Sequence, residues 1–146
     1  MTDEKPPAIG QQDSATSQPR PGATDRVIKV LVVDDEIEVC KVLVRLLTRF
    51  GLDAAFVTSG EAALEFIRSH PIKVMLLDIM MPGMTGFDVL KDLRAGKDFS
   101  GLPVVIYSAS NDAETREKAR LLGAHGFVAK ASDSFDYLRE VLGRYV

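Results

Sequence analysis

Four short apolar runs, each stopped by a polar residue of a different kind, constrain this chain more than any other feature. Residues 30–33 run into Asp34 and Asp35, residues 74–77 into Asp78, residues 104–107 into Ser108, and residues 127–129 into Lys130. Near-continuous apolar runs of this length read as strands covered on both faces, which is the habit of a parallel sheet. In an open parallel sheet the carboxyl ends of the strands line one edge, and ligands bind there. Residues far apart in sequence are therefore expected to converge. They would bring together three carboxylates, a hydroxyl and an ammonium, a set suited to a divalent cation and a phosphoryl group.

The stretches between these runs carry helical spacing. Residues 27–33 form the first expected strand. Ile37, Val39, Leu43, Leu46, Leu47 and Phe50 then recur as on one helical face, and Gly51 stops the helix. Residues 53–57 read as a second strand. Ser59 opens a helix through Ala62, Ala63, Phe66 and Ile67 that ends before Pro71. The third strand is 72–77, and the turn at 82–86 leads into a helix carrying Phe87, Leu90 and Leu93. A loop with Gly96 and Gly101 precedes a strand at 103–107. A helix follows at 110–122, closed by Gly123, then a strand at 124–129 and an amphipathic helix at 135–142. Five strands alternating with five helices predict a doubly wound α/β sandwich, because crossovers between parallel strands are right-handed. The flavodoxin-like strand order 2-1-3-4-5 is expected, since it sets strands one and three side by side and brings Asp35 next to Asp78.

Residues 1–26 differ from the rest. They hold Pro6, Pro7, Pro19 and Pro21 among Gln, Ser, Thr and Gly, with few apolar residues. Such a stretch buries too little apolar surface to offset its ordering entropy, so a disordered leader is expected ahead of a folded domain at 27–146. The net charge of −3 argues against a broad nucleic-acid surface. No run reaches the roughly 20 apolar residues of a membrane span, and the N-terminus lacks a secretory apolar stretch, so a cytoplasmic location is expected. Cys40 is the single cysteine, on a helical apolar pattern, and reads as a structural thiol.

Each polar strand end also has a plainer reading. Asp35-Glu36-Ile37-Glu38 fits a helix cap with acid in the first turn. Capping needs one carboxylate, however, whereas Mg²⁺ takes one or two carboxylates together with water and phosphate oxygens. Asp78 could cap the turn at Met81-Pro82-Gly83, or its carboxylate could attack a phosphoryl donor. Ser108 and Ser110 could cap the following helix, and Lys130 alone could be a solvated charge. Beside a phosphoryl group, an ammonium and a hydroxyl supply charge and directed hydrogen bonds. The combination carries the signal. His70 and His125 are expected in surface or packing roles, and Arg116, Lys118 and Arg120, interleaved with Glu114 and Glu117, on a solvated face.

With these residues in view, 27–146 resembles the receiver domain of two-component response regulators. Residues 30–36, ending in Asp34-Asp35-Glu36, look like that family's acidic pocket. The stretch Leu76-Leu77-Asp78 through Pro82-Gly83-Met84-Thr85-Gly86 looks like its phosphoacceptor strand and loop. Ser108-Ala109 and Gly126-Phe127-Val128-Ala129-Lys130 resemble its two switch-bearing strands. The resemblance implies that Asp78 is the phosphoacceptor. Asp35 and Asp78 would hold Mg²⁺ directly, Asp34 through water, and the Met80 backbone carbonyl would complete the protein ligands. Ser108 and Lys130 would contact the phosphoryl group, and Phe127 would be the switch aromatic. It also implies a histidine kinase or phosphotransfer protein as donor. The fourth helix, fifth strand and fifth helix would form a face for a partner or for a homodimer, with no direct nucleic-acid contact.

One position departs from the family pattern. Ala131 stands where a proline, joined by a cis bond, usually follows the lysine. A cis bond before a non-proline residue costs about 3 kcal/mol, so a trans bond or a strained loop is expected, with Lys130 reaching less well. The chain is expected to be a single-domain regulator or a fragment of a larger one. Three other readings stand beside phosphoacceptance: a degenerate receiver that works as an interaction module without phosphorylation, a small-molecule phosphatase or phosphotransferase with an aspartyl-phosphate intermediate, and a flavodoxin-type cofactor binder. The last is disfavoured because Asp34 and Asp35 would repel a cofactor phosphate.

Overall fold

A computed structural model describes residues 28–146; the expectations for residues 1–26 and for Val27 lie outside the described residues. Strands and helices alternate: β1 (Ile28–Val33), α1 (Ile37–Arg49), β2 (Ala54–Val57), α2 (Gly60–Ser69), β3 (Ile72–Leu77), α3 (Gly86–Ala95), β4 (Val104–Ser108), α4 (Ala113–Leu121), β5 (Gly126–Ala129) and α5 (Phe135–Gly143). The strands form one sheet in the order β2-β1-β3-β4-β5, and every neighbouring pair is parallel. This is the expected flavodoxin-like (βα)5 sandwich. Its chain leaves β1 toward β2 on one side and reaches β3 on the other, so the switch point lies between β1 and β3.

Side chains alternate across a strand, and the strands here are apolar on both faces. Leu31, Val33, Met75, Leu77, Val104 and Ile106 pack on one face against Ala63 and Ile67 of α2 and Val89, Leu90 and Leu93 of α3. Val30, Val32, Val74, Leu76, Val105 and Val128 pack on the other against Cys40, Leu43 and Leu47 of α1 and Leu138, Val141 and Leu142 of α5. These two clusters anchor four of the helices by several residues each. The α4 helix buries only Ala119.

Two boundaries differ from the sequence expectation by two residues or more, each for a local reason. The α4 helix begins at Ala113 and not at 110, because the Asp112 carboxylate accepts from the Thr115 amide at 2.7 Å and so takes the N-cap. The Ser110 amide is committed elsewhere, donating to Ser108 Oγ at 3.1 Å. The β5 strand begins at Gly126 and not at 124, because the Gly123 and Ala124 amides still close the end of α4 by donating to the Arg120 and Ala119 carbonyls. Gly123 makes that exit at a φ of 100°, in the left-handed region that favours glycine. Among the described residues no helix is long and apolar enough to cross a membrane.

Candidate functional site

The carboxyl ends of β1 and β3 lie together because Val33 is in register with Leu77. The Asp78 amide extends that ladder by donating to the Val33 carbonyl at 2.9 Å, and the Asp34 amide donates to Val57 O at 3.3 Å. Asp34 and Asp78 are buried, and Asp35 is exposed at the rim. One carboxylate oxygen from each of the three lies within 4.8 Å of the others. The expected convergence of Asp34, Asp35 and Asp78 is therefore present. Three hard oxygen donors this close, one of them open to solvent, fit a divalent cation that keeps several waters.

Lys130 enters the cluster from the end of β5. Its Nζ donates to Asp34 Oδ2 at 2.6 Å and stands 3.6 Å from Asp78 Oδ1. The lysine is not a solvated surface charge, and Ala131 after it does not keep it from the acids. Burial works against the ammonium, but its bond to Asp34 and the charges of Asp78 and Asp34 outweigh this and raise its pKa. Burial pushes the Asp78 carboxyl up to about 6, with Lys130 opposing and Asp34 adding to the rise. Asp78 thus titrates close to neutrality and is ionised over most of the physiological range.

Ser108 is fully buried at the end of β4 beside Lys130, whose backbone amide donates to the Ser108 carbonyl at 2.9 Å. Phe127 is half-buried on β5, with the Arg116 guanidinium 4.5 Å from its ring centroid. The expected wholly solvated face of α4 is thus partly engaged: Lys118 sits over Phe87 at 4.5 Å, while Arg120 pairs with Glu117 at 2.7 Å. Met80 follows Asp78 by two positions with its side chain exposed.

The helix-cap reading of the acidic pair takes a different form from the expected one. The N-cap of α1 is Glu36, whose side chain makes no capping bond. Asp34 Oδ1 instead accepts from the Glu36 amide at 2.9 Å, so one carboxylate both steadies the turn and faces Lys130. Cys40 lies beneath it. The thiol is buried, donates to the Asp34 carbonyl at 3.2 Å, and has its pKa raised by burial and then by Asp34, as befits a structural cysteine.

The loop after Asp78 is held by close packing. A Cβ at Gly86 would collide with the Asp78 carbonyl oxygen and come within 2.8 Å of Ile79 Cα. Thr85 and Asp88 form a reciprocal capping box at the start of α3, at 3.2 and 3.0 Å. On the far side of α3, Arg94 donates twice to Gly123 O (2.7 and 3.2 Å) and once to Phe99 O (3.1 Å). His125 beside it has its pKa lowered by burial and by Arg94, and its ring meets Tyr145 edge-on, a packing role as expected. His70 stacks on Phe66 with centroids 4.3 Å apart. Arg94 and Asp133 carry no periodic or motif signal in the sequence, whereas Thr85 falls in the loop motif and its capping role is legible only from Asp88 three residues on. A shallow cleft of about 300 Å³ lined by Ile67, His70, Pro71, Ile72, Phe99 and Leu102 opens at the start of β3, the opposite end of that strand from Asp78.

A doubly wound parallel sheet with a carboxylate triad and a lysine at its switch edge is consistent with a receiver domain of the phosphoryl-accepting signalling class. The chain belongs to the response regulator receiver domain family, whose signature it matches over residues 30–142. It is 36% identical over 115 residues to the transcriptional regulatory protein ZraR of Escherichia coli K12, covering 79% of this chain and 25% of that protein. It is 32% identical over 122 residues to the heme response regulator HssR of Staphylococcus epidermidis, covering 82% and 53%. To the sensory transduction protein RegX3 of Mycobacterium bovis it is 37% identical over 118 residues, covering 79% and 51%. The chain thus spans a quarter to about half the length of these relatives. Among solved structures it superimposes on the chemotaxis protein CheY4 of Vibrio cholerae with a TM-score of 0.75 and 25% identity, covering 82% of this chain and 99% of that one. It also superimposes on the response regulator TrrA of Thermotoga maritima, solved with Mg²⁺ and BeF, with a TM-score of 0.71 and 27% identity, covering 81% and 98%.

Proposed function

We propose that Asp78 is the phosphoacceptor of this receiver domain and that Lys130 and Ser108 receive the phosphoryl group. The supporting observation is the position of Asp78: a buried carboxylate with Lys130 Nζ 3.6 Å away and two further acids at its side. An Asp78 carboxylate oxygen attacks phosphorus as the P–N bond of a donor phosphohistidine breaks. The bonding electron pair returns to the imidazole, whose other ring nitrogen carries a proton, so the ring leaves neutral and Asp78 becomes an aspartyl phosphate. Lys130 turns from Asp34 toward the new phosphoryl oxygens, and the Ser108 hydroxyl donates to one of them.

The donor set suits Mg²⁺, which Asp34, Asp35, Asp78 and the Met80 carbonyl would hold. When bound there, Mg²⁺ supplies positive charge to the transferring oxygens. The chain's own residues do the rest: Lys130 offsets part of the cost that burial places on the ionised nucleophile, and the fold orients the ammonium and walls off the buried side of the acceptor.

The donor on this reading is a sensor histidine kinase or a phosphotransfer protein, and the setting is the cytoplasm. Phosphorylation shifts the populations of α4, β5 and Phe127, and the α4–β5–α5 face docks a protein partner or a second copy. The role is signalling and not turnover of a metabolite. Intact mass after incubation with acetyl phosphate, with and without Mg²⁺, tests this for the native chain and for Asp78→Asn. A Mg²⁺-dependent gain of one phosphoryl group, absent from the variant, supports the proposal. A folded native chain that gains none overturns it in favour of a phosphorylation-independent interaction module.

A further inference from the structure

Among the described residues the β5 strand is the edge of the sheet and pairs only with β4. At its end the Lys130 amide turns inward to Ser108 O. In a parallel ladder successive residues face opposite sides, so the amide and carbonyl of Ala129 both point to the open edge. Ala129 is only 1% exposed, and an unpaired backbone group there would cost what a lost buried hydrogen bond costs. Asp133 satisfies both groups. Its Oδ2 accepts from the Ala129 amide at 2.8 Å, and its own amide donates to the Ala129 carbonyl at 3.0 Å.

One residue thus stands in for the missing neighbouring strand. The two bonds close a loop over Lys130, Ala131 and Ser132, the segment in which Ala131 stands where the family pattern has proline. Lys130 is held from both sides, through Ser108 on β4 and through the clasp on Ala129. The ammonium at its tip reaches Asp34 at 2.6 Å across the sheet. Asp133 also immediately precedes Ser134, whose hydroxyl accepts from the Tyr137 amide and caps α5.

We infer that Asp133 is a positioning residue for phosphoryl transfer: its clasp on Ala129 fixes the backbone that aims Lys130 at Asp78. The inference rests on the phosphoacceptor reading above. A small displacement of a group that contacts the transferring atoms lowers the rate sharply, even when the group itself is intact. Asn at 133 keeps an oxygen acceptor for the Ala129 amide, and Ala does not.

The test compares the native chain, Asp133→Asn and Asp133→Ala, each with Lys130 present and with Lys130→Met. Phosphoryl uptake from acetyl phosphate with Mg²⁺ is followed by intact mass, and the NMR signal of the Lys130 ammonium is recorded without phosphodonor. With Lys130 present, Asp133→Ala slows uptake by at least about tenfold and loses the ordered ammonium signal, while Asp133→Asn stays within about threefold of native and keeps it. In the Lys130→Met background the Asp133→Ala effect vanishes, which a merely structural role would not produce. Native uptake by Asp133→Ala, or equal slowing in both backgrounds, overturns the inference. A native chain that takes up no phosphoryl group overturns the phosphoacceptor reading instead, and the ammonium signal then still tells whether the clasp orders Lys130.

Discussion

Asp78→Asn should stabilise the folded chain at neutral and alkaline pH, by an amount that depends on pH in a defined way. The folded carboxyl titrates at about 6 and the ordinary value is 3.8. A raised folded pKa means that the folded state holds the proton more tightly, so stability is lost as pH rises through the window from 3.8 to about 6. Integrated over the whole window the loss is about 3 kcal/mol, and roughly half of it falls between pH 5 and pH 8. An amide at 78 does not titrate. Its loss of ionic pairing and its own burial shift the stability by a constant, so the slope and not the intercept carries the test. Urea denaturation followed by circular dichroism, in the presence of a chelator, gives both curves. The gain of Asp78→Asn over native should widen by about 1.5 kcal/mol from pH 5 to pH 8. Added Mg²⁺ should narrow it, because a bound cation offsets the buried charge. Parallel curves would refute the claim that burial of an ionised Asp78 is a cost to the fold.

Three further perturbations follow from the geometry. Gly86→Ala should destabilise the domain by about 3 kcal/mol by urea denaturation, since the added methyl meets backbone and not a movable side chain, and should slow phosphoryl uptake by displacing Asp78. Arg94→Ala removes three hydrogen bonds to carbonyls and should cost about 2 kcal/mol in the same assay, with uptake by Asp78 unchanged. Thr85→Ala breaks the capping box of α3 and should lower stability by about 1 kcal/mol, read as a fall of about 4 °C in Tm.

The sheet and most of the site were legible because they rest on patterns that sequence preserves. Strand β3 has the expected bounds, since a run that is apolar except for Lys73 lies between Pro71 and Asp78. The acidic triad and Lys130 were legible as strand ends, once a parallel sheet was inferred. Contacts that depend on which nearby side chain wins a backbone amide were not legible. Asp112 takes the α4 cap that Ser108 or Ser110 could have held, and Asp133 takes the Ala129 amide, where sequence shows only an acid ahead of a capping serine. The engagement of Arg116 and Lys118 with Phe127 and Phe87 was missed for a similar reason. Their spacing is that of a solvated helix face, and the rings that receive them come from other elements.

The lone buried residue of α4 has an energetic consequence. A helix that withdraws little more than one alanine from water gains only a small transfer free energy, and its two contacts between cations and rings form at the water boundary, where such pairs are weak. Its far end is fastened, because the guanidinium of Arg94 grips the Gly123 carbonyl just beyond the last turn. The element is therefore tied to its neighbours more firmly beyond its last turn, at Gly123, than at its local cap beside Ala113. Its amides should exchange with deuterium ahead of those of the other four helices, and earliest at the end nearest Ser108.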